Sequence, residues 1–325
     1  MSVTQQPPAI SAAPEVVIRP LEPRDVDAAD RVMRTAFGTF LGAPDPLAVF
    51  GDAEFVRPRF AAEPCWAYAA ELDGEIVGSN FATRWGSFGF FGPLTVRVDL
   101  WGRGIAGRLM EPIIKLFEQW PLRQAALFTF PQSSKHIGLY QKFGFWPQYL
   151  TPLMEKPLTP SAGDAASETL SSLSGRDRDT AVNGCRELTN AIFEGLDVTH
   201  EIRTTETQRL GDTVLLQEDD RLSGFAVCHL GAGEAGSGTC FVKFGAVHPR
   251  TGGSDRFERL LAACEATAAR HGLARVVAGV NTARHDAYRR LLARGYRAWL
   301  EGVIMQRPNE PGYCRPDVYV IDDLR

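Results

Sequence analysis

Residues 94–109, Leu-Thr-Val-Arg-Val-Asp-Leu-Trp-Gly-Arg-Gly-Ile-Ala-Gly-Arg-Leu, carry an apolar strand into a glycine turn that opens a helix. No other stretch constrains the fold as much. Gly102, Gly104, Ala106 and Gly107 leave room for backbone N–H groups to reach an anion's oxygens. The helix N-terminus adds partial positive charge, and Arg103 and Arg108 add full charges. A pyrophosphate suits such a turn, and so does a ligand-free strand-to-helix connection; the turn alone does not separate the two.

The helix that follows shows its apolar face in Ile105, Leu109, Ile113, Leu116, Phe117 and Trp120, spaced by threes and fours, and Pro121 stops it. Pro112 falls inside that span, where a missing N–H costs about 3 kcal/mol unless the helix bends. An apolar strand at 125–130 follows. After it come Pro131-Gln-Ser-Ser-Lys-His136 and a short helix ending Tyr140-Gln-Lys-Phe-Gly144-Phe145.

This order of strand, glycine turn, helix, strand and Tyr-x-x-x-Gly-Phe helix resembles the acetyl-CoA-binding core of the GNAT superfamily of N-acetyltransferases. The resemblance is strong over residues 90–150 and weaker elsewhere. The family's turn, Gln/Arg-x-x-Gly-x-Gly/Ala, maps onto Trp101-Gly102-Arg103-Gly104-Ile105-Ala106, with Trp101 in place of the usual basic or amide residue. An Asn often stands seven residues before the tyrosine; here that position is Ser133. The resemblance implies acetyl-CoA as co-substrate, its pyrophosphate on Gly102, Arg103, Gly104, Ile105, Ala106, Gly107 and Arg108. It also implies a pantetheine arm along the unpaired backbone of Leu94, Thr95 and Val96, with Ser133 nearby. Tyr140 is then the general acid that protonates the leaving thiolate in direct attack by an amine. A packing role beneath Phe143 and Phe145 is the alternative for Tyr140.

The base is not legible. His136 lies one helical turn from Tyr140 and titrates near neutrality, while Glu71 and Asp99 sit at the ends of neighbouring strands. Water relay serves equally well. The aromatic stretch 85–91, with Trp85, Phe88, Phe90 and Phe91, suits either an acceptor pocket or core.

Length and composition agree. The 325 residues suit two domains rather than one. A net charge of −4, with the basic residues dispersed, argues against a nucleic-acid partner. Cys65, Cys185, Cys228, Cys240, Cys264 and Cys314 show no CxxC spacing and read as reduced thiols of a cytoplasmic protein; no metal site is expected. Residues 1–14 have no basic n-region and no apolar core long enough for a signal peptide, so none is expected, and no segment reaches the roughly 20 apolar residues of a membrane span.

Along the chain, residues 1–14 read as a disordered tail, 15–157 as a catalytic acetyl-CoA-binding unit, 158–174 as a Pro/Ser/Ala-rich linker and 175–325 as a second unit. In the first unit Asp25 is placed to cap a helix, and Asp73-Gly74 joins two strands as a hairpin. The second unit repeats the order: a helix, a hairpin turning at Asp219-Asp220, the strand 240–247, the turn Arg250-Thr-Gly252-Gly253-Ser-Asp255, a helix, the strand 274–280 and a helix ending at Tyr296. Gly78 and Gly224 hold matching places. The expected fold is therefore α/β, two tandem GNAT-like mixed sheets flanked by helices, arising by internal duplication.

The second copy differs where chemistry is done. Asp255 stands where the turn calls for Gly or Ala, and Leu291 replaces the tyrosine, although Asn281 lies seven before Tyr288. The first unit is thus expected to bind one acetyl-CoA and acetylate a small-molecule or peptide amine, with the second as scaffold or part of the acceptor site. Two other classes fit the sequence: a non-catalytic acyl-CoA sensor, and a structural protein with both sites dead.

Overall fold

The computed structural model describes residues 15–159, 168–219 and 221–325. The 1–14 tail, residues 160–167 of the linker and Asp220 lie outside the described residues. The first half contains β1 (Val17–Pro20), α1 (Val26–Phe40), α2 (Val56–Phe60), β2 (Trp66–Leu72), β3 (Glu75–Trp85), β4 (Phe88–Phe91), β5 (Thr95–Val96), α3 (Ile105–Gln119), β6 (Gln124–Thr129), α4 (Ser134–Gln141) and β7 (Trp146–Pro157). The second half contains β8 (Glu168–Thr169), α5 (Gly175–Ile192), α6 (Thr199–Thr207), β9 (Gly211–Glu218), β10 (Arg221–Leu230), β11 (Thr239–Val247), α7 (Gly253–Arg270), β12 (Arg275–Gly279), α8 (His285–Ala293), β13 (Arg297–Arg307) and β14 (Val320–Ile321).

All these strands join one mixed sheet, in the order β1-β2-β3-β4-β6-β13-β7-β12-β11-β10-β9-β8, with β5 on β3 and β14 on β11. The local signals hold. Asp73 (φ 52°) and Gly74 (φ 82°) make the left-handed turn of the β2–β3 hairpin. Phe257, Leu260, Leu261 and Cys264 are fully buried on one face of α7. Helix α3 runs through Pro112 without a break, and Asn80 of β3 donates to the Leu109 carbonyl on its buried side (3.3 Å). Asp25 does not cap α1. Its carboxylate instead accepts from the Glu22 N–H (2.8 Å) and pairs with Arg19.

The long-range arrangement departs from two sheets laid side by side. The strand expected to close the first unit, β7, pairs with β12 and β13 rather than with β6; the edge of β6 is taken by β13 of the second half. Each half therefore completes its sheet with a strand from the other. The halves share a core in which Trp85, Phe88 and Phe90 pack with Leu188, Phe225 and Phe244. Fully burying one such side chain is worth about 1.5–3 kcal/mol, so the halves are bound together by their core as well as by their strands. The stretch 85–91 is core and no part of an acceptor pocket.

Candidate functional site

The parallel pairing of β4 with β6 runs from Phe88↔Gln124 to Phe91↔Leu127 and then stops. Past Gly92-Pro93 the chain leaves β6, and Thr95 and Val96 pair only with β3. Arg97 donates to the Val77 carbonyl (2.8 Å), so by antiparallel alternation the N–H and C=O of Val96 face away from β3, into the gap. Leu94, Thr95 and Val96 thus form one wall of a wedge whose other wall is the end of β6. Trp101, a departure from the family's turn, ties that turn to the strand: its indole N–H donates to the Val96 carbonyl (2.7 Å). The Lys135 ammonium lies 5.8 Å from its ring centroid.

At the head of the wedge Gly102 (φ 84°) and Gly104 (φ 81°) take left-handed conformations, and Gly104 is the N-cap of α3. The first helical bond runs from Arg108 N–H to the Gly104 carbonyl, so the N–H groups of Ile105, Ala106 and Gly107 precede the helix's own ladder. A Cβ added at Gly102, Gly104 or Gly107 meets nothing within 4 Å, which leaves the cradle open. Among the described residues neither Arg103 nor Arg108 has an ion-pair partner within 4 Å. The Ile105 side chain points inward to the core with Leu109, and only its backbone faces the turn. These features fit a pyrophosphate. Ser133 caps α4, its hydroxyl accepting from the His136 N–H (3.3 Å).

Tyr140 packs against Phe91 (ring centroids 5.7 Å) in a cluster with Leu127 and Met305, and its hydroxyl faces the Thr129 side chain at the end of β6. Burial pushes its phenol well above the usual value, keeping it protonated. His136 is half-buried between Phe40 (4.9 Å) and Phe130 (6.5 Å); burial first, and Lys135 second, lower its pKa. The other candidate bases are engaged in ion pairs, Glu71 with Arg19 (2.6 Å) and Asp99 with Arg97 (2.8 Å).

The second half builds the same wedge and fills it. Gly78 pairs with Val96, and Gly224 with Val247, so Leu94-Thr95 correspond to Gly245-Ala246. Gly245 and Ala246 pair with Ile321 and Val320 of β14, while the Asp322 N–H donates to the Gly279 carbonyl of β12 (3.0 Å). Tyr319 lies over the helix start, 3.0 Å from where a Cβ on Gly253 would stand. Arg250, Arg256 and Arg259 all pair with Glu218, whose pKa they lower. Leu291 is core, and Asn281 anchors β7 by donating to the Thr151 hydroxyl (3.0 Å). The segment 319–325 was not foreseen from sequence, since a two-residue strand carries no periodic signal.

Residues 35–145 match the acetyltransferase (GNAT) family. Among solved structures, a Pyrococcus horikoshii protein assigned as an acetyltransferase superimposes with a TM-score of 0.66 at 16% identity, covering 94% of each chain. A GCN5-related N-acetyltransferase from Sphaerobacter thermophilus gives 0.55 at 14% identity, covering 90% of this chain and 95% of its own. A tandem GNAT protein from the clavulanic acid biosynthesis pathway gives 0.57 at 16%, covering 90% and 98%. No curated protein matches the sequence. Residues 35–145 thus match a GNAT acetyltransferase domain, and the whole chain has the fold of the tandem GNAT structure. Among the described residues no helix is long and apolar enough to cross a membrane.

Proposed function

We propose that the first half binds acetyl-CoA and transfers its acetyl group to an amine, with the second half as a scaffold that binds none. The observation that carries this reading is the contrast between two equivalent wedges: one is open, with unpaired arginines at its head, and the other is filled by residues 319–325. The thioester supplies an activated acyl carbon. The N–H groups of Ile105, Ala106 and Gly107, with Arg103 and Arg108, hold the pyrophosphate. The outward-facing N–H of Val96, whose carbonyl is held by the Trp101 indole, aligns the pantetheine arm as the equivalent Val247 N–H donates to the Tyr319 carbonyl. The Tyr140 Oη, protonated because it is buried, gives its proton to the departing sulfur. Free-thiol release from acetyl-CoA, followed over a panel of amines, tests the reading. Turnover supports it, whereas binding without turnover makes the protein an acyl-CoA sensor.

A further inference from the structure

The exchanged strand β13 brings a carboxylate to the mouth of the first wedge. Val303 pairs with Thr129, the residue that the Tyr140 hydroxyl faces. Val303 and Met305 pair with Thr129 and Leu127 of β6 in unbroken register, Leu127 and Met305 share a cluster with Tyr140, and the pairing of Glu301, Gly302 and Val303 with Pro152, Thr151 and Leu150 shows no slip. Glu301 therefore stands on the same face as Tyr140, roughly 7 Å further along β13 from the residue opposite Thr129. Glu301 is exposed, and among the described residues it has no ion-pair partner. Partial desolvation raises its carboxyl pKa above the usual glutamate value.

Exposed apolar side chains stand beside it: Trp299 lies two residues back along β13, and Leu150 of β7 pairs with Val303. A lone carboxylate beside exposed aromatic surface complements a cation with an apolar body.

We infer that Glu301 binds and deprotonates the acceptor, an ammonium group on an apolar or aromatic body, at a platform made by β7 and β13. The inference rests on the acetyl-CoA reading of the first half. The acceptor ammonium gives one proton to Glu301. Its nitrogen then bonds to the acyl carbon as the carbon–sulfur bond breaks, and that electron pair goes to sulfur. Sulfur takes the Tyr140 proton, and the second nitrogen proton restores Tyr140 through water. Glu301 releases its proton to solvent, so one proton leaves per turnover. A base from the second half also gives that half a reason to be retained without a cofactor of its own.

The test titrates phenethylammonium, by calorimetry, into the full-length protein saturated with CoA. Saturable binding is expected, with Glu301→Gln weaker by about tenfold through loss of a charge pair, Glu301→Asp intermediate, and acetyl-CoA affinity unchanged in both. With phenethylamine as acceptor, Glu301→Gln should lower kcat by about 10²-fold. Equal binding by wild type and Glu301→Gln, or equal affinity for neutral phenylethanol, overturns the inference. A wild type that binds acetyl-CoA but not phenethylammonium also overturns it, leaving the acetyl-CoA reading intact; a wild type that binds neither removes both.

Discussion

The two glycine turns of this chain share a backbone and differ in what surrounds it. Gly104 and Gly252 cap their helices at φ 81° and 85°. Yet α3 starts nine residues after Val96, whereas α7 starts six after Val247, so the second loop is shorter. Among the described residues, the first turn has nothing within 4 Å of a Cβ on its glycines, whereas the second has Tyr319. Among the same residues the arginines of the first have no ion-pair partner, and those of the second converge on Glu218. A strand–turn–helix unit thus makes an anion site only when its charges and N–H groups are left unspent by the rest of the chain. In the second half β14 pairs with the wall equivalent to Leu94 and Thr95, the wall that the proposed function gives to the pantetheine arm.

The sharpest way to break the comparison is to close the open turn. Gly104→Glu is expected to abolish acetyl-CoA binding by collision and repulsion, while the left-handed backbone costs the fold only about 1–2 kcal/mol. A CoA titration of wild type and variant checks it, and equal affinities would move the cofactor elsewhere.

The next largest effect lies in the filled wedge. Asp322 pairs with Arg284 (2.7 Å), both fully buried, and accepts from the Tyr313 hydroxyl (2.6 Å). Asp322→Ala leaves a buried guanidinium uncompensated and should cost about 3–5 kcal/mol. Denaturant midpoints measure this, and a loss under about 1 kcal/mol, well short of what an uncompensated buried charge costs, would mean that residues 319–325 are held loosely.

Tyr140→Phe should lower kcat by about 10²-fold with acetyl-CoA affinity nearly unchanged. Its counterpart, Leu291→Tyr, sits in the core and should bring no activity. Loss confined to binding would make Tyr140 a packing residue.

The smallest effect concerns the ion cluster between the halves, where Arg59 of α2 (3.1 Å) and Lys243 of β11 (3.0 Å) meet Glu234. Burial tends to raise the Glu234 pKa, but the two cations outweigh it and bring it to about 2. A folded pKa below the unfolded one contributes stability above roughly pH 4.5 that is lost as pH falls toward 2. Glu234→Gln should therefore lower the unfolding midpoint at pH 7 and flatten its decline over pH 4.5 to 2; a parallel curve would contradict the linkage.

What could be read from the sequence was local. The Asp73-Gly74 hairpin, the glycine turn and the apolar face of α7 are each fixed by residues within one or two turns of chain, so pattern and structure agree. The exchange of β7 and β13 was not legible. Either strand satisfies the same local pattern whichever half it joins, and the choice is made by pairings such as Val303↔Thr129, far apart in sequence. Helix α6 was missed because it is short and mostly polar, and α2 because it spans a single turn around Pro58. At the site, the turn and Tyr140 were visible as motif residues. Glu301 was not, since its place depends on the strand exchange.

The central claim is that one wedge is open and its twin is filled. Isothermal titration of CoA into the full-length protein tests it most directly. The account predicts one CoA per chain, falling to none in Gly104→Glu; two per chain, or a site that survives that substitution, would contradict it.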